Sequence, residues 1–225
     1  MVRRFIGIGG GSLKEKTTLP IDAFIRSLSN KERPYALFFP SASHDSKPYF
    51  NTFRKTYCSN LGCQVDVALL TRNEMTVEHI DEKIALADII YVGGGDTRYM
   101  LDLWHETGMD EKLIAAYKRG VILCGLSAGF IGWFRKCYTD YEISRGTGGE
   151  FIISDGLNLF DGTACPHYNL RREFDNHALN YEKSYAVEDN CAIYFENEKF
   201  IKSVSAGGKA YMLTTSDGKL IKTEL

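Results

Sequence analysis

The stretch VILCGLSAGF, residues 121–130, decides how the chain is read. An apolar run, Val121-Ile122-Leu123-Cys124, ends at Gly125-Leu126-Ser127-Ala128-Gly129, and a helical pattern follows. A short, fully apolar strand that turns straight into a helix is the repeating unit of an α/β fold. The small residues around Ser127 let the backbone take a strained turn that presents its hydroxyl, with the Ala128 amide where an oxyanion would form. Two readings stay open on these ten residues alone: a nucleophile elbow, or a tight turn and nothing more.

Outward from this point the same unit repeats. Apolar, β-branched runs at 4–8, 35–39, 65–70 and 88–92 read as further strands. Between them, Phe50, Phe53 and Tyr57 form one helical stripe, and Val77, Ile80 and Ile84 form another behind a Thr76 cap. Met100, Leu101 and Trp104, then Leu113, Ile114 and Tyr117, form two more on either side of the breaker Gly108. This alternation predicts an α/β fold: a mostly parallel sheet with helices on both faces. After residue 183 the pattern becomes short strands at 191–195, 199–204, 210–213 and 220–222, joined by turn-rich links. They predict an antiparallel C-terminal extension of the same sheet, within a single domain over 1–225.

Composition narrows the class. The 225 residues are 44% hydrophobic and 25% charged, the balance of a globular protein. With 27 basic and 29 acidic residues and no basic cluster, the chain lacks the field that a nucleic-acid backbone demands. No stretch approaches the ~20 apolar residues of a membrane span. The start, MVRRFIGIGGG, breaks into glycines too early for a signal peptide, and a cytoplasmic protein is expected. Six scattered cysteines without metal-like spacing read as free thiols. No metal or cofactor is expected, and a homo-oligomer is compatible with these features.

Three strands end in glycine: Gly9-Gly10-Gly11-Ser12, Gly93-Gly94-Gly95-Asp96-Thr97 and the opening stretch. Ligands of open α/β sheets sit outside the carboxyl ends of strands, so the three loops should share one crevice. The first fails the dinucleotide fingerprint at its third glycine and reads as a sharp turn. The second leaves backbone N–H groups free to face a negatively charged oxygen.

A serine needs a base to take its proton. His79, His105 and His177 fall on polar helix surfaces, and His44 follows the second strand toward the crevice. His167, behind Pro166 at the end of an apolar approach, ranks first, with His44 in reserve. The acid that orients the imidazole is Asp140 or Glu142, and Asp140 is favoured. Ser127 and His167 lie only 40 residues apart, too close for an α/β-hydrolase.

The combination Tyr91-Val92-Gly93-Gly94-Gly95-Asp96-Thr97, Gly125-Leu126-Ser127-Ala128-Gly129 and Cys165-Pro166-His167-Tyr168 resembles the serine peptidase family of dipeptidase E (aspartyl dipeptidase) and cyanophycinase. Val187-Glu188-Asp189-Asn190-Cys191-Ala192 and Gly208-Lys209-Ala210-Tyr211 are also similar to it. The resemblance implies a class I glutamine amidotransferase-like fold with serine in place of cysteine. It implies Ser127 as nucleophile, His167 as base, and an oxyanion hole from the amides of Gly95 and Ala128. An acid shortly after the nucleophile's helix fits Asp140 and leaves Glu142 open. Cyanophycinases are longer, so the length favours a dipeptidase that removes N-terminal aspartate from short peptides. Arg171 and Arg172, just after His167, are the nearest guanidiniums for an acidic side chain. The rival readings are an esterase or amidase of other specificity, and a non-catalytic small-molecule-binding relative of the amidotransferase fold.

Overall fold

The computed structural model describes residues 1–71 and 74–225. Its strands, in chain order, are β1 (Arg4–Ile8), β2 (Tyr35–Phe39), β3 (Gln64–Val67), β4 (Ile89–Val92), β5 (Ile122–Leu126), β6 (Phe134–Thr139), β7 (Ile152–Asp155), β8 (Phe160–Cys165), β9 (Lys183–Val187), β10 (Cys191–Glu196), β11 (Lys199–Ser205), β12 (Ala210–Ser216) and β13 (Lys219–Glu224). The helices are α1 (Leu19–Ser27), α2 (Lys47–Arg54), α3 (Val77–Leu86), α4 (Thr97–Thr107), α5 (Met109–Lys118), α6 (Ala128–Ile131), α7 (Tyr141–Arg145) and α8 (Phe174–Ala178). Among the described residues, no helix is long and apolar enough to cross a membrane.

A seven-stranded sheet runs in the order β11-β10-β1-β5-β4-β2-β3. Its five N-terminal strands are parallel; β10 pairs antiparallel with β1, and β11 pairs antiparallel with β10. The expected extension therefore exists for the first two C-terminal strands. It is corrected for the last two, because β12 and β13 belong to a second, six-stranded sheet ordered β13-β12-β9-β8-β6-β7. The cause is β9, which the sequence pattern did not reveal as a strand and which offers β12 the edge Val187↔Ala210. In this sheet β6, β8 and β9 run parallel to one another.

Alternation of side chains sorts the first sheet's residues onto two covered faces. Phe5, Leu37, Phe39, Ile90, Val92 and Leu123 pack with Ile80 and Ile84 of α3, Trp104 of α4 and Leu113 of α5. Ile6, Ile8, Phe38, Ile89, Tyr91 and Cys124 pack with Ile21 and Ile25 of α1, Phe53 of α2 and Tyr57. Helices on both faces are the reason the strands read as continuous apolar runs. Thr76 caps α3 as expected, accepting from His79 N, and Gly108 closes α4 at φ 66°.

An aromatic cluster joins the two sheets. Phe5 of β1 stacks on Phe160 of β8 at 4.5 Å between centroids, and Phe134 of β6 meets Phe195 of β10 at 6.0 Å. Tyr185 of β9 adds an edge contact to Phe195 at 5.3 Å. Each buried ring contributes about 1.5–3 kcal/mol through removal of apolar surface from water. The cluster thus fixes where the ends of one sheet's strands lie relative to the other's.

Beneath the second face, Asp22 of α1 is fully buried and accepts from Thr18 Oγ1 at 2.8 Å and Tyr57 Oη at 3.0 Å. Burial pushes its carboxyl up to about 7 despite those two donors. A carboxyl that holds its proton more tightly when folded stabilises fully below its unfolded value and loses that contribution as pH rises. Stability from this group is therefore complete near pH 4 and declines toward pH 7. Asp22→Asn, which keeps both hydrogen-bonding positions, should flatten that decline by on the order of a few kcal/mol. Urea unfolding of both proteins at pH 4.5 and 7.5 measures it; equal pH dependence would contradict the buried-acid assignment.

Candidate active site

The carboxyl ends of β1, β5 and β4 lie side by side, so the three glycine-rich loops do meet. Ser127 follows β5 with φ 53° and ψ −112°, a strained conformation for a residue with a side chain. The flanking glycines make the turn possible: a Cβ on Gly125 would overlap Gly129 O, and one on Gly129 would overlap Val92 O. Ser127 N donates to Ile8 O at 3.0 Å, and Ser127 O accepts from Phe130 N and Ile131 N at 2.9 and 3.0 Å. The residue is thereby held as the N-cap of α6, and Ala128 N, the first amide of that helix, has no intrahelical acceptor.

The second sheet supplies the partners. His167 follows β8 in the left-handed conformation, φ 51°, and its N–H donates to Gly9 O at 3.0 Å. Its Nε2 lies 2.9 Å from Ser127 Oγ and its Nδ1 lies 2.6 Å from Asp189 Oδ1. Asp189 follows β9. Its other oxygen accepts from Asn169 Nδ2 at 3.1 Å, and its backbone N–H donates to Asn169 Oδ1 at 2.9 Å. The hydrogen bond with His167, aided by Asn169, holds the Asp189 carboxyl below the usual range against the opposing effect of partial burial. An ionised Asp189 fixes the proton of the imidazole on Nδ1, which leaves Nε2 as an acceptor for the serine hydroxyl.

The imidazole meets Asp189 and not the favoured Asp140. Asp140 follows β6, on the opposite side of β8, and its Oδ2 accepts from Arg171 Nη2 at 3.0 Å. Glu142 lies on α7 against Gly148. Neither faces the imidazole. The residues not foreseen are Asp189 and Asn169, along with Gly10, whose missing Cβ leaves the room that Asp189 Oδ1 and His167 Nδ1 occupy. His44 reaches the cleft as a wall residue, its ring 4.0 Å from that of Tyr99. His79 and His105 lie on exposed helix faces beside Glu82 and Asp110.

Ser127 and His167 open into a cleft of about 380 Å³ lined also by Ala42, Gly95, Asp96, Asp140, Arg145 and Arg171. Gly95 has φ 143°, and a Cβ on it would overlap Ala42 O, so no other residue fits. Arg171 is buried, stacked over Phe151 at 4.6 Å. Arg172 is not part of the lining: it pairs with Glu188 at 2.5 Å and lies over the Tyr168 ring at 4.2 Å. Arg145 forks onto Asp96 at 2.6 and 3.2 Å and so ties α7 to the first turn of α4.

Comparison with known proteins adds the family. The model of peptidase family S51 matches residues 5–203. The chain belongs to peptidase family S51. It is similar to the uncharacterized peptidase YgaJ of Bacillus subtilis strain 168, with 32% identity over 233 residues that cover 100% of this chain and 97% of that one. The uncharacterized peptidase Lin0382 of Listeria innocua is 26% identical over 200 residues, 85% of this chain and 94% of the relative. In fold it is similar to a crystal structure of a peptidase from an acI-B1 Actinobacterium, with TM-score 0.68, 18% identity and coverage of 99% and 98%. A candidate peptidase E of Listeria monocytogenes EGD-e matches with TM-score 0.69 and 20% identity over 91% of this chain and 99% of its own.

In this S51 peptidase the smallest side chain has a large predicted effect. Gly10→Ala would force apart the imidazole and the carboxylate, since the new methyl needs the space both occupy. Peptide hydrolysis should fall by roughly 10³-fold, the scale lost when an orienting carboxylate is displaced. Circular dichroism of the variant, taken with the assay, separates this from unfolding; a folded variant with parental turnover would refute the close approach.

Proposed function

We propose that the protein is a serine peptidase that hydrolyses short peptides, and a dipeptidase that prefers N-terminal aspartate. The observation that supports it most is the continuous hydrogen-bonded line Ser127 Oγ–His167 Nε2 and His167 Nδ1–Asp189 Oδ1, at 2.9 and 2.6 Å, open to a cleft. On this reading Ser127 Oγ attacks the peptide carbonyl while His167 Nε2 takes its proton. Asp189 stabilises the imidazolium and holds its orientation. The carbonyl oxygen becomes an oxyanion between the N–H groups of Gly95 and Ala128, each worth about 3–4 kcal/mol in such sites. His167 then protonates the leaving amine, and water releases the acyl-enzyme by the same sequence of transfers.

Substrate choice follows from the paired charges in the cleft. Arg171 offers a guanidinium for a β-carboxylate, and Asp140 beside it offers a carboxylate for the free ammonium. The cleft volume suits a molecule of dipeptide size.

A panel of dipeptides that includes Asp-X and β-Asp-Arg, with activated esters, tests the reading on the parent and Ser127→Ala. Free aspartate from Asp-X with the parent alone is the expected result. Turnover confined to esters would make it an esterase, and no turnover of any kind would favour a binding protein. Asp189→Asn should lower kcat by roughly 10³–10⁴-fold. Asp140→Asn should act mainly on KM, because its carboxylate meets substrate and not the imidazole. If the two variants exchange these effects, Asp140 is the orienting acid.

Asp189, held below the ordinary carboxylate range by its hydrogen bonds to His167 and Asn169, should stay ionised in mildly acidic solution. A loss of activity in Asp189→Asn no larger than that of Asp140→Asn would remove Asp189 from the role of orienting acid.

A further inference from the structure

The peptide that carries the Gly95 N–H lies between two glycines, Gly94 and Gly95, so no side chain resists its rotation. Gly95 is exposed, although the Ala42 carbonyl lies close against it. The neighbouring peptides are held instead. On the far side, Asp96 N donates to Ala42 O at 2.8 Å. On the near side, Gly94 N donates to the hydroxyl of Tyr49 at 3.2 Å. Gly94 also packs against the nucleophile turn, since a Cβ there would lie 3.2 Å from both Leu126 O and Ser127 Cβ.

Tyr49 is well placed to be an anchor. It sits in the first turn of α2, where its N–H donates to the Ser46 cap at 3.4 Å. Its ring packs edge-on to Phe38 at 5.0 Å, and a Cβ on Gly93 would lie 2.8 Å from its Cε1. Burial pushes its hydroxyl up to about 12, so it stays neutral wherever the imidazole could act as a base.

We propose that Tyr49 is a positioning residue for the oxyanion-binding peptide, its hydroxyl holding Gly94 so that the Gly95 N–H stays aimed into the cleft. The proposal rests on the serine-peptidase reading. It assigns to α2, an element that touches neither nucleophile nor base, the preorganisation of one oxyanion donor. Without that acceptor the Gly94 N–H would seek another, and the 94–95 peptide could turn with it. A donor that must be realigned in each turnover gives less rate acceleration than one already in place.

Tyr49→Phe removes one oxygen and keeps the ring. With a dipeptide that the parent hydrolyses, kcat should fall roughly ten- to thirty-fold, less than the ~10²–10³ lost with an entire donor, while KM stays within about twofold. A boronic-acid analogue of the released residue, which forms a tetrahedral adduct on Ser127, should bind more weakly by the same factor. Binding of the intact dipeptide to Ser127→Ala should be the same with and without Tyr49→Phe. Tyr91→Phe serves as the control, because its buried hydroxyl has no hydrogen-bond partner among the described residues; it should keep parental kcat. Parental kcat in Tyr49→Phe, an equal loss in Tyr91→Phe, or unchanged boronate affinity would each overturn the proposal. If Ser127→Ala still hydrolyses the dipeptide at the parental rate, the serine-peptidase reading itself falls; if it is inactive while Tyr49→Phe is parental, only the anchor does.

Discussion

Three consecutive carbonyls at the end of β1 hold the site together. Ile8 O accepts from Ser127 N, Gly9 O from His167 N and Gly10 O from Asn190 N, each at 3.0 Å. One short segment of the first sheet therefore sets the backbone heights of the serine, the histidine and the residue next to Asp189. These donors come from segments widely separated in sequence, and two of the three follow strands of the second sheet. The glycines are required by this proximity: a Cβ on Gly9 would overlap the carbonyls of Val187 and Glu188, and one on Gly10 would fall on the imidazole–carboxylate pair. The first glycine loop thus resembles a phosphate-binding turn in composition while its work is to let two sheets close on each other.

Such closeness has to be maintained against strain. Ser127, outside every favoured region, costs about 1–3 kcal/mol, whereas the left-handed His167 costs less because histidine is among the residues that tolerate it. The aromatic cluster of Phe5, Phe134, Phe160, Tyr185 and Phe195 offsets this on the opposite side of the seam. A second tie runs from α4 to β6, where the hydroxyls of Thr97 and Thr139 meet at 3.2 Å. Core packing between the sheets is therefore part of the reactive geometry, even though no ring of the cluster lines the cleft.

The parts of the site legible in the sequence were those encoded locally. Ser127 is announced by a strand, two glycines and a helix within ten residues, and His167 by a proline that stiffens its approach. The acid is not local. β6, β8 and β9 are parallel neighbours, so their ends present Asp140, His167 and Asp189 in a row with the imidazole in the middle. Carboxylates thus stand at the strand ends on either side of His167, and spacing along the chain cannot say which of them Nδ1 faces. That direction is decided by Gly10, Asn169 and the pull of Arg171 on Asp140. β9 was the missing clue: recognising it as a strand puts Asp189 at a strand end, and it also places β12 and β13 in their own sheet.

The cleft's two arginines are not vacant charges. Arg171 is bound to Asp140 and Arg145 to Asp96, so a ligand gains affinity by exchange, taking over interactions that already exist. Pulling Asp140 from a buried guanidinium without replacing it would cost on the order of 3–5 kcal/mol. A molecule bearing only an ammonium or only a carboxylate would satisfy one member of the pair at the expense of the other. A zwitterionic N-terminal residue with an acidic side chain can approach both at once, and neither partner is left unpaired. Discrimination by the proposed dipeptidase then resides in the pairing of the cleft's own charges, and a neutral ester would find no corresponding advantage there.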